Sequence, residues 1–207
     1  MTKGFSCKRI TLKRIIILCS VLMITGSTAC GFGKQTEQTE ITISKDGTVS
    51  MQIIESFDKP YYDKEELQQR ILAEVASYNR NVENGNISVE KIEVEEQSAK
   101  VIMVYAGCED YAQFNGNIFF IGSAAEAQEA GYDLDTVLSG AEDAMETVGM
   151  SDMLMMTDHR ILITDSKEPI TLDGKADYIS GNVTVSKNKK TITLAQDAEA
   201  PAYVMFQ

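Results

Sequence analysis

Carboxylates are the most abundant chemically active groups in this sequence, and they are concentrated in its middle. Between Val101 and His159 there is no lysine or arginine, whereas the same span contains eleven acids. These acids are Glu109, Asp110, Glu126, Glu129, Asp133, Asp135, Glu142, Asp143, Glu146, Asp152 and Asp158. Two carboxylates facing each other in a cleft could hydrolyse a glycosidic bond as acid and base. Spread over a surface, the same residues form a solvated acidic face.

Calcium or a cationic partner is another ligand that an acid-only span could take. Asp133 and Asp135 place two carboxylates at alternating positions, as a calcium-binding loop does. The Asp/Asn-Gly step and the terminal glutamate of such a loop do not follow them. Asp133 and Asp135 are therefore calcium candidates that match only part of the pattern. We otherwise predict no metal centre and no cofactor.

Residues for nucleophilic catalysis are few. His159, between Asp158 and Arg160, is the only histidine, and we expect it to be a surface residue. The sequence has neither the Gly-x-Ser-x-Gly turn of serine hydrolases nor the glycine-rich phosphate-binding patterns. Cys108 is the only cysteine after residue 30, so the rest of the chain has no disulfide framework. A small buried apolar role explains this thiol better than a nucleophilic one.

Aromatic side chains could form a platform for a glycan. The adjacent pair Tyr61 and Tyr62 is the first candidate. Further members are Tyr105, Tyr111, Phe114, Phe119, Phe120 and Tyr132. The sequence contains no tryptophan, and alternation within the predicted strands assigns several of these rings to the core.

The first thirty residues have the order of an export signal. Met1–Arg14 carries five basic side chains and no acid, Ile15–Ile24 is apolar, and Thr25–Cys30 consists of small residues. An apolar run of about ten residues is shorter than the roughly twenty needed to span a bilayer. We therefore predict that residues 1–29 are a signal peptide and not a permanent transmembrane helix.

The end of this segment resembles the lipobox of bacterial lipoproteins. Thr28 and Ala29 fit the two positions before the modified cysteine, although an aliphatic residue is common at the place of Ser27. The resemblance implies that Cys30 receives a diacylglyceryl group and becomes the first residue of the mature protein. Residues 30–39 would then be a flexible tether to the outer face of the cell membrane. An ordinary secretory signal, with Cys30 left as a free thiol, is the alternative.

Charge separates the N-terminus from the rest of the chain. The sequence has 19 lysine and arginine residues against 31 aspartate and glutamate residues. Residues 1–29 contain five of the basic residues and none of the acids, so residues 30–207 carry a net charge of −17. This balance argues against nucleic acid as a partner and against electrostatic attraction to anionic lipid. A covalent lipid would therefore be the means of attachment to the membrane.

Hydrophobic periodicity predicts an α+β fold for residues 40–207. Alternating apolar residues on both sides of Asp46-Gly47 predict a β-hairpin. Apolar residues at helical spacing after Asp63 predict a helix. Two β-rich runs follow, at 87–94 and 100–106. The N-terminal unit thus has the order strand, strand, helix, strand, strand, with the helix packed on an antiparallel sheet.

The remaining residues predict short helices in the middle and strands at the end. One helix is expected after Ser123, with Glu126 completing a capping box, and another over 141–148. From His159 onward, short strands separated by turn residues predict a C-terminal β meander. We expect a single extracytoplasmic domain, with any sub-boundary near 150–160.

The signal with Cys30 and the segment after it resemble small uncharacterised lipoproteins of anaerobic Gram-positive bacteria. Within that segment, the run Ile41–Ser50 leads to a helix that begins Tyr-Tyr-Asp-Lys-Glu-Glu-Leu. The resemblance implies a single-membrane cell and a domain that faces outward. We expect a binding or envelope-scaffold module whose partner is a small ligand or an envelope protein. The alternative is a glycosidase-like envelope hydrolase that uses carboxylates of the 109–158 span.

Overall fold

The computed structural model describes residues 38–95 and 97–207. The predicted signal peptide, Cys30 and all of the predicted tether before residue 38 lie outside the described residues. Within the described ranges, no helix is long and apolar enough to cross a bilayer. The predicted α+β class is confirmed, because short helices pack against two sheets made mostly of antiparallel strands.

Four helices and thirteen strands form the described part of the chain. The helices are α1 (Lys64–Asn81), α2 (Cys108–Asn115), α3 (Ala124–Glu129) and α4 (Met150–Met155). The strands are β1 (Glu40–Ile43), β2 (Val49–Ser56), β3 (Ile87–Glu95), β4 (Ser98–Tyr105), β5 (Phe119–Gly122), β6 (Leu138–Gly140), β7 (Thr147–Val148), β8 (Arg160–Thr164), β9 (Ile170–Thr171), β10 (Ala176–Ile179), β11 (Val183–Val185), β12 (Thr191–Leu194) and β13 (Ala202–Phe206). The predicted N-terminal order of strand, strand, helix, strand, strand is confirmed.

The first sheet has seven strands in the order β11-β12-β9-β1-β2-β4-β3. β1 pairs antiparallel with β2 through a turn in which Gly47 adopts a φ of +87° and Asp46 accepts from the Thr48 backbone N–H. On its other side β1 pairs parallel with β9. The predicted C-terminal series of strands is confirmed, and part of it extends the N-terminal sheet through this parallel pair.

The second sheet has six strands in the order β5-β8-β13-β10-β6-β7. Its central strands β8 and β13 are buried on both faces. Leu162 and Val204 lie in a core shared with the first sheet, whereas Ile161, Ile163 and Met205 lie in a second core together with side chains of α3 and α4. Alternation along a strand sends successive side chains to opposite faces, so one strand contributes to both cores.

Helix α1 packs on the first sheet beside β3 and β4. Asp63 caps its first turn by accepting from the Glu66 N–H at 2.8 Å. The predicted apolar stripe is confirmed, because Ile71 and Val75 are buried and Leu67 packs partly against the same core. The capped start of α1 is thereby held next to the end of β2.

The prediction of a helix over 141–148 is wrong. The chain instead forms a tight hairpin between β6 and β7, closed by a bond from the Gly140 N–H to the Glu146 carbonyl oxygen. Asp143 favours this turn, because its carboxylate accepts from the Met145 N–H at 2.9 Å. Such local side-chain bonds offer the backbone an alternative to helical hydrogen bonds.

Candidate functional site

An aromatic groove lies where β2 ends and α1 begins. Its cavity volume is about 270 Å³. The apolar part of its lining comes from Ile53, Ala99, Val101 and Leu67. The remainder consists of Glu55, Ser56, Phe57, Asp58, Tyr61, Tyr62, Asp63, Glu66 and Arg70. We call this cavity the aromatic groove. Pockets for drug-sized ligands have volumes of roughly 300–1,000 Å³, so this slightly smaller cavity suits a smaller molecule.

Three rings form the aromatic side of the groove. The centroids of Phe57 and Tyr62 are 4.8 Å apart with their planes tilted by 33°. Tyr61 meets Tyr62 edge to face at 5.0 Å and is 70% exposed. The exposed surface of the Tyr61 ring beside the cavity can stack on a ligand, and aromatic rings contribute strongly to binding energetics.

The Glu55 carboxylate differs from the other charged groups of the groove because it has no partner among the described side chains. Burial raises the pKa of Glu55, and the nearby negative charge of Glu168 raises it further. Among the described residues, no side chain donates a hydrogen bond or a salt bridge to this carboxylate. A half-buried carboxylate without a positive neighbour attracts either a proton or a cationic ligand.

The other charged side chains at the groove already have partners. Arg70 Nη2 lies 2.7 Å from Glu66 Oε1, and Lys59 Nζ lies 3.3 Å from Asp58 Oδ1. The Asp63 carboxylate is occupied by capping α1. The positive charges near the groove are therefore balanced locally and do not neutralise the carboxylate at the end of β2.

A second cavity, which we call the acidic pocket, lies at the β6–β7 edge of the second sheet. Its volume is about 540 Å³. It is lined by Gly140, Glu142, Asp143, Glu146, Met156, His159, Asp177, Tyr178, Lys189 and Gln207. Three acids of the 109–158 span thus share a cavity with the only histidine.

His159 lies between two carboxylates in this pocket. Its Nδ1 atom is 2.9 Å from Asp158 Oδ1, and its Nε2 atom is 3.3 Å from Asp177 Oδ2. The hydrogen bond from His159 lowers the pKa of Asp158. The surface position expected for His159 is wrong, because only 12% of its side chain is exposed. His159 directly precedes β8, whose first residue, Arg160, pairs with Phe206 of β13.

Two further polar contacts close the acidic pocket. Tyr178 Oη donates to Glu146 Oε1 at 2.7 Å, and this bond is the main reason that the pKa of Tyr178 is raised. Lys189 Nζ lies 3.2 Å from Glu142 Oε2. Glu142 and Glu146 are exposed. These contacts tie the β6–β7 turn to the rest of the second sheet.

The remaining acids of the 109–158 span are dispersed. Asp110 accepts from Tyr78 Oη at 2.9 Å and so joins α2 to α1. Glu126 completes the predicted capping box with Ser123, and the hydrogen bonds of this box lower its pKa. Asp152 accepts from the Gly149 N–H at the start of α4. Acids at helix starts are stabilised by the helix dipole, so these contacts serve local structure.

The two calcium candidates lie in an exposed loop between α3 and β6. Asp133 Oδ1 accepts from the Asp135 backbone N–H at 2.9 Å. Within residues 38–95 and 97–207, no three histidine, cysteine or acidic side chains are grouped so that they could hold a metal ion. The local turn accounts for the Asp133 side chain.

Cys108 begins α2 beside a third cavity of about 650 Å³. Burial raises the pKa of its thiol, and the neighbouring charge of Glu109 acts in the same direction. A raised pKa keeps the sulfur protonated, and the thiol is a poorer nucleophile than the thiolate. Cys108 is half-buried and packs partly against the first core, so it is less enclosed than the buried role predicted for it.

The structure divides the predicted aromatic platform. Tyr61 and Tyr62 line the groove, whereas Tyr105, Tyr111 and Phe119 are buried in the core. The sequence reasoning missed Glu55, Phe57 and Arg70. Alternation along β2 was the available signal, because it places Glu55 on the same face as the buried residues Met51 and Ile53.

No known protein family, curated protein or solved structure matches this chain. The aromatic groove at the first sheet and the acidic pocket at the second sheet are therefore the basis for assigning a function. The aromatic groove combines three aromatic rings with a carboxylate that no described side chain balances. The acidic pocket combines several acids with a largely buried histidine.

Proposed function

We propose that this protein is a lipid-anchored extracytoplasmic binding module that takes a small ligand in the aromatic groove. The groove itself is the observation that carries the proposal. An apolar cavity with a small number of convergent polar groups is the usual form of a ligand site. The export signal and Cys30 in the sequence support attachment to the outer face of the cell membrane.

The predicted tether leads into the start of β1, which pairs with β2 immediately before the β2 residues that line the groove. Thr39 Oγ1 accepts from the Ile54 N–H at 3.0 Å, and Gln52 Nε2 donates to the Gln38 carbonyl oxygen at 3.1 Å. The next residue of β2 after Ile54 is Glu55, which lines the groove. A short tether would thus hold the groove close to the membrane surface.

The anchor is tested by comparing two cysteine variants in the native host. Cys30→Ala should release the protein from the membrane fraction or leave it unprocessed, because the acyl chains supply the binding energy at about 0.8 kcal/mol per CH₂. Cys108→Ala is the matched control and should remain attached and lipid-modified. Attachment of the Cys30→Ala protein with an unchanged mass would rule out the lipid anchor.

The binding site is tested by a thermal-shift screen of envelope amines, amino sugars and oligosaccharides on the full chain. At least one compound should raise the melting temperature of the wild type but not of Tyr62→Ala, which loses a groove ring. Tyr178→Phe, outside the groove, is the control and should respond like the wild type. A screen in which no compound acts, or all act equally on Tyr62→Ala, contradicts the proposed site.

A carboxylate-based envelope hydrolase is the second candidate function. Its support is the acidic pocket, where Glu142, Asp143 and Glu146 line one cavity with Asp177. Glycosidases hold two carboxyl groups about 5–10 Å apart across the scissile bond. Cell-wall glycan incubated with the full chain should then yield new reducing ends, and Glu146→Gln should abolish them. Equal yields from the wild type and Glu146→Gln would remove this candidate.

A further inference from the structure

We infer that the aromatic groove selects a small organic cation, an alkylammonium group with methyl or methylene substituents. The inference rests on the proposed function, because it names the ligand class of the same site. Three features carry it, namely the Glu55 carboxylate, the three aromatic rings and the state of the other charges around the cavity.

The first feature is a negative charge that the described residues do not balance. Glu55 lies on β2 among the residues that line the groove, and no described side chain pairs with its carboxylate. Glu168 adds negative potential at the same place. A positively charged ligand would relieve both the desolvation of this carboxylate and its repulsion from the neighbouring acid.

The second feature is the type of surface next to that charge. The Tyr62 ring contacts the rings of both Phe57 and Tyr61, and all three residues line the groove. The negative face of an aromatic ring attracts an ammonium group, and quaternary ammonium ligands are bound by such groups of rings. Methyl groups on the nitrogen also gain from burial against apolar surface such as that of Ile53 and Val101.

The third feature excludes an anionic ligand and disfavours a neutral one. Among the described residues that line the groove, four are acids and Arg70 is the only base. Its guanidinium is already paired with Glu66. An anion would face net negative charge, whereas a neutral sugar would bury the Glu55 carboxylate further without a counter-charge. A cation is the ligand class that complements this lining.

Calorimetric titration of the full chain with choline tests the inference. The matched ligand is 3,3-dimethylbutan-1-ol, which has the shape of choline without its charge. Choline should bind at least about tenfold more tightly than the alcohol, because the uncharged alcohol makes neither a cation–π contact with the rings nor a charge contact with Glu55. Equal binding of the two compounds, or no binding of choline at millimolar concentration, overturns the inference.

Two variants assign the effect to the groove. Glu55→Gln keeps the size of the side chain and should weaken choline binding by about tenfold while leaving the alcohol unaffected. Glu74→Gln is the control, because burial also raises the pKa of Glu74 on α1 but this residue does not line the groove. If both variants bind choline like the wild type, the inference is wrong.

Two further experiments distinguish failure of this inference from failure of the proposed function, and a lipid headgroup from a free amine as the ligand. Binding of a neutral oligosaccharide, lost in Tyr62→Ala, in the absence of choline binding would retain the binding module and reject the ammonium class. Vesicles of phosphatidylcholine, set against free choline, distinguish a lipid headgroup from a soluble amine. Competition of free choline with the vesicles for the wild type but not for Glu55→Gln supports a headgroup as the source.

Discussion

The Nε2 atom of His159 lies 3.3 Å from Oδ2 of Asp177, joining the start of β8 to β10 across the acidic pocket. The carboxylate oxygen is buried and accepts no hydrogen bond from any described residue. The imidazole is thus its polar neighbour at ion-pair distance, without the alignment of a hydrogen bond. Loss of this ring would remove a largely buried side chain and the polar atom that lies 3.3 Å from this oxygen.

Replacement of this histidine should therefore destabilise the fold. We expect His159→Ala to lower the free energy of unfolding by about 0.5–3 kcal/mol, the usual range for a destabilising substitution, because it truncates a side chain that is only 12% exposed. Urea denaturation followed by far-UV circular dichroism measures the change. Asp158→Asn is the control, since the Asp158 side chain is 75% exposed, and should change stability by less than about 0.5 kcal/mol. Equal stability of His159→Ala and the wild type would show that the contact is energetically neutral.

Ionisation of Glu55 should destabilise the folded protein, whereas ionisation of most carboxylates stabilises it. Burial and Glu168 raise the pKa of Glu55 in the folded state. The contribution of Glu55 to the free energy of unfolding is therefore highest below the pKa that Glu55 has in the unfolded chain. It falls as the pH rises through the pKa that this group has in the folded protein. Glu55→Gln should raise the melting temperature at pH 7, and this gain should vanish at acidic pH.

Glu126 should show the opposite dependence of stability on pH in the same experiment. Hydrogen bonds from Ser123 lower the pKa of Glu126, so its contribution is present above the unfolded pKa and is lost as pH falls through the folded pKa. Glu126→Gln should accordingly lower the melting temperature at pH 7. A loss of stability in both variants at neutral pH would contradict the sign derived for Glu55.

The thiol of Cys108 should react slowly while the protein is folded. Burial raises its pKa and limits access, so the thiolate is scarce. Iodoacetamide labelling at pH 8, followed by mass spectrometry of the peptide that contains Cys108, should be at least about tenfold slower in buffer than in urea. Similar rates in the two conditions would mean that this side chain is open to solvent and ionised.

Gly174 should not tolerate a side chain. A Cβ atom at this position would overlap the backbone carbonyl oxygen of Gln207, which accepts from the Lys175 N–H at 2.8 Å. Gly174→Ala should lower the free energy of unfolding by about 1–3 kcal/mol, as overpacking does. Gly181→Ala is the matched control, because a Cβ there meets nothing within 4 Å. Thermal melts of the two variants compare them directly, and equal melting temperatures would contradict the expectation.

Local sequence patterns were sufficient to predict those elements whose stabilising contacts join residues close together in the sequence. The Asp46-Gly47 hairpin, the Asp63 cap and the Ser123–Glu126 capping box all form as predicted. Each depends on residues within about four positions of one another. The helix predicted over 141–148 does not form, because Thr147 and Val148 are extended and pair with Leu138 and Ser139 of β6.

Sequence alone determined the α+β class, the negative charge of residues 30–207, the export signal pattern and the position of Cys30 within it. These properties follow from composition and from short-range periodicity. Only the tertiary structure decided which residues meet. It pairs β1 with β9, encloses His159 between two carboxylates, and brings Glu55 and Phe57 beside Tyr62. Such juxtapositions depend on sheet order and strand register, which long-range packing selects and no local pattern encodes.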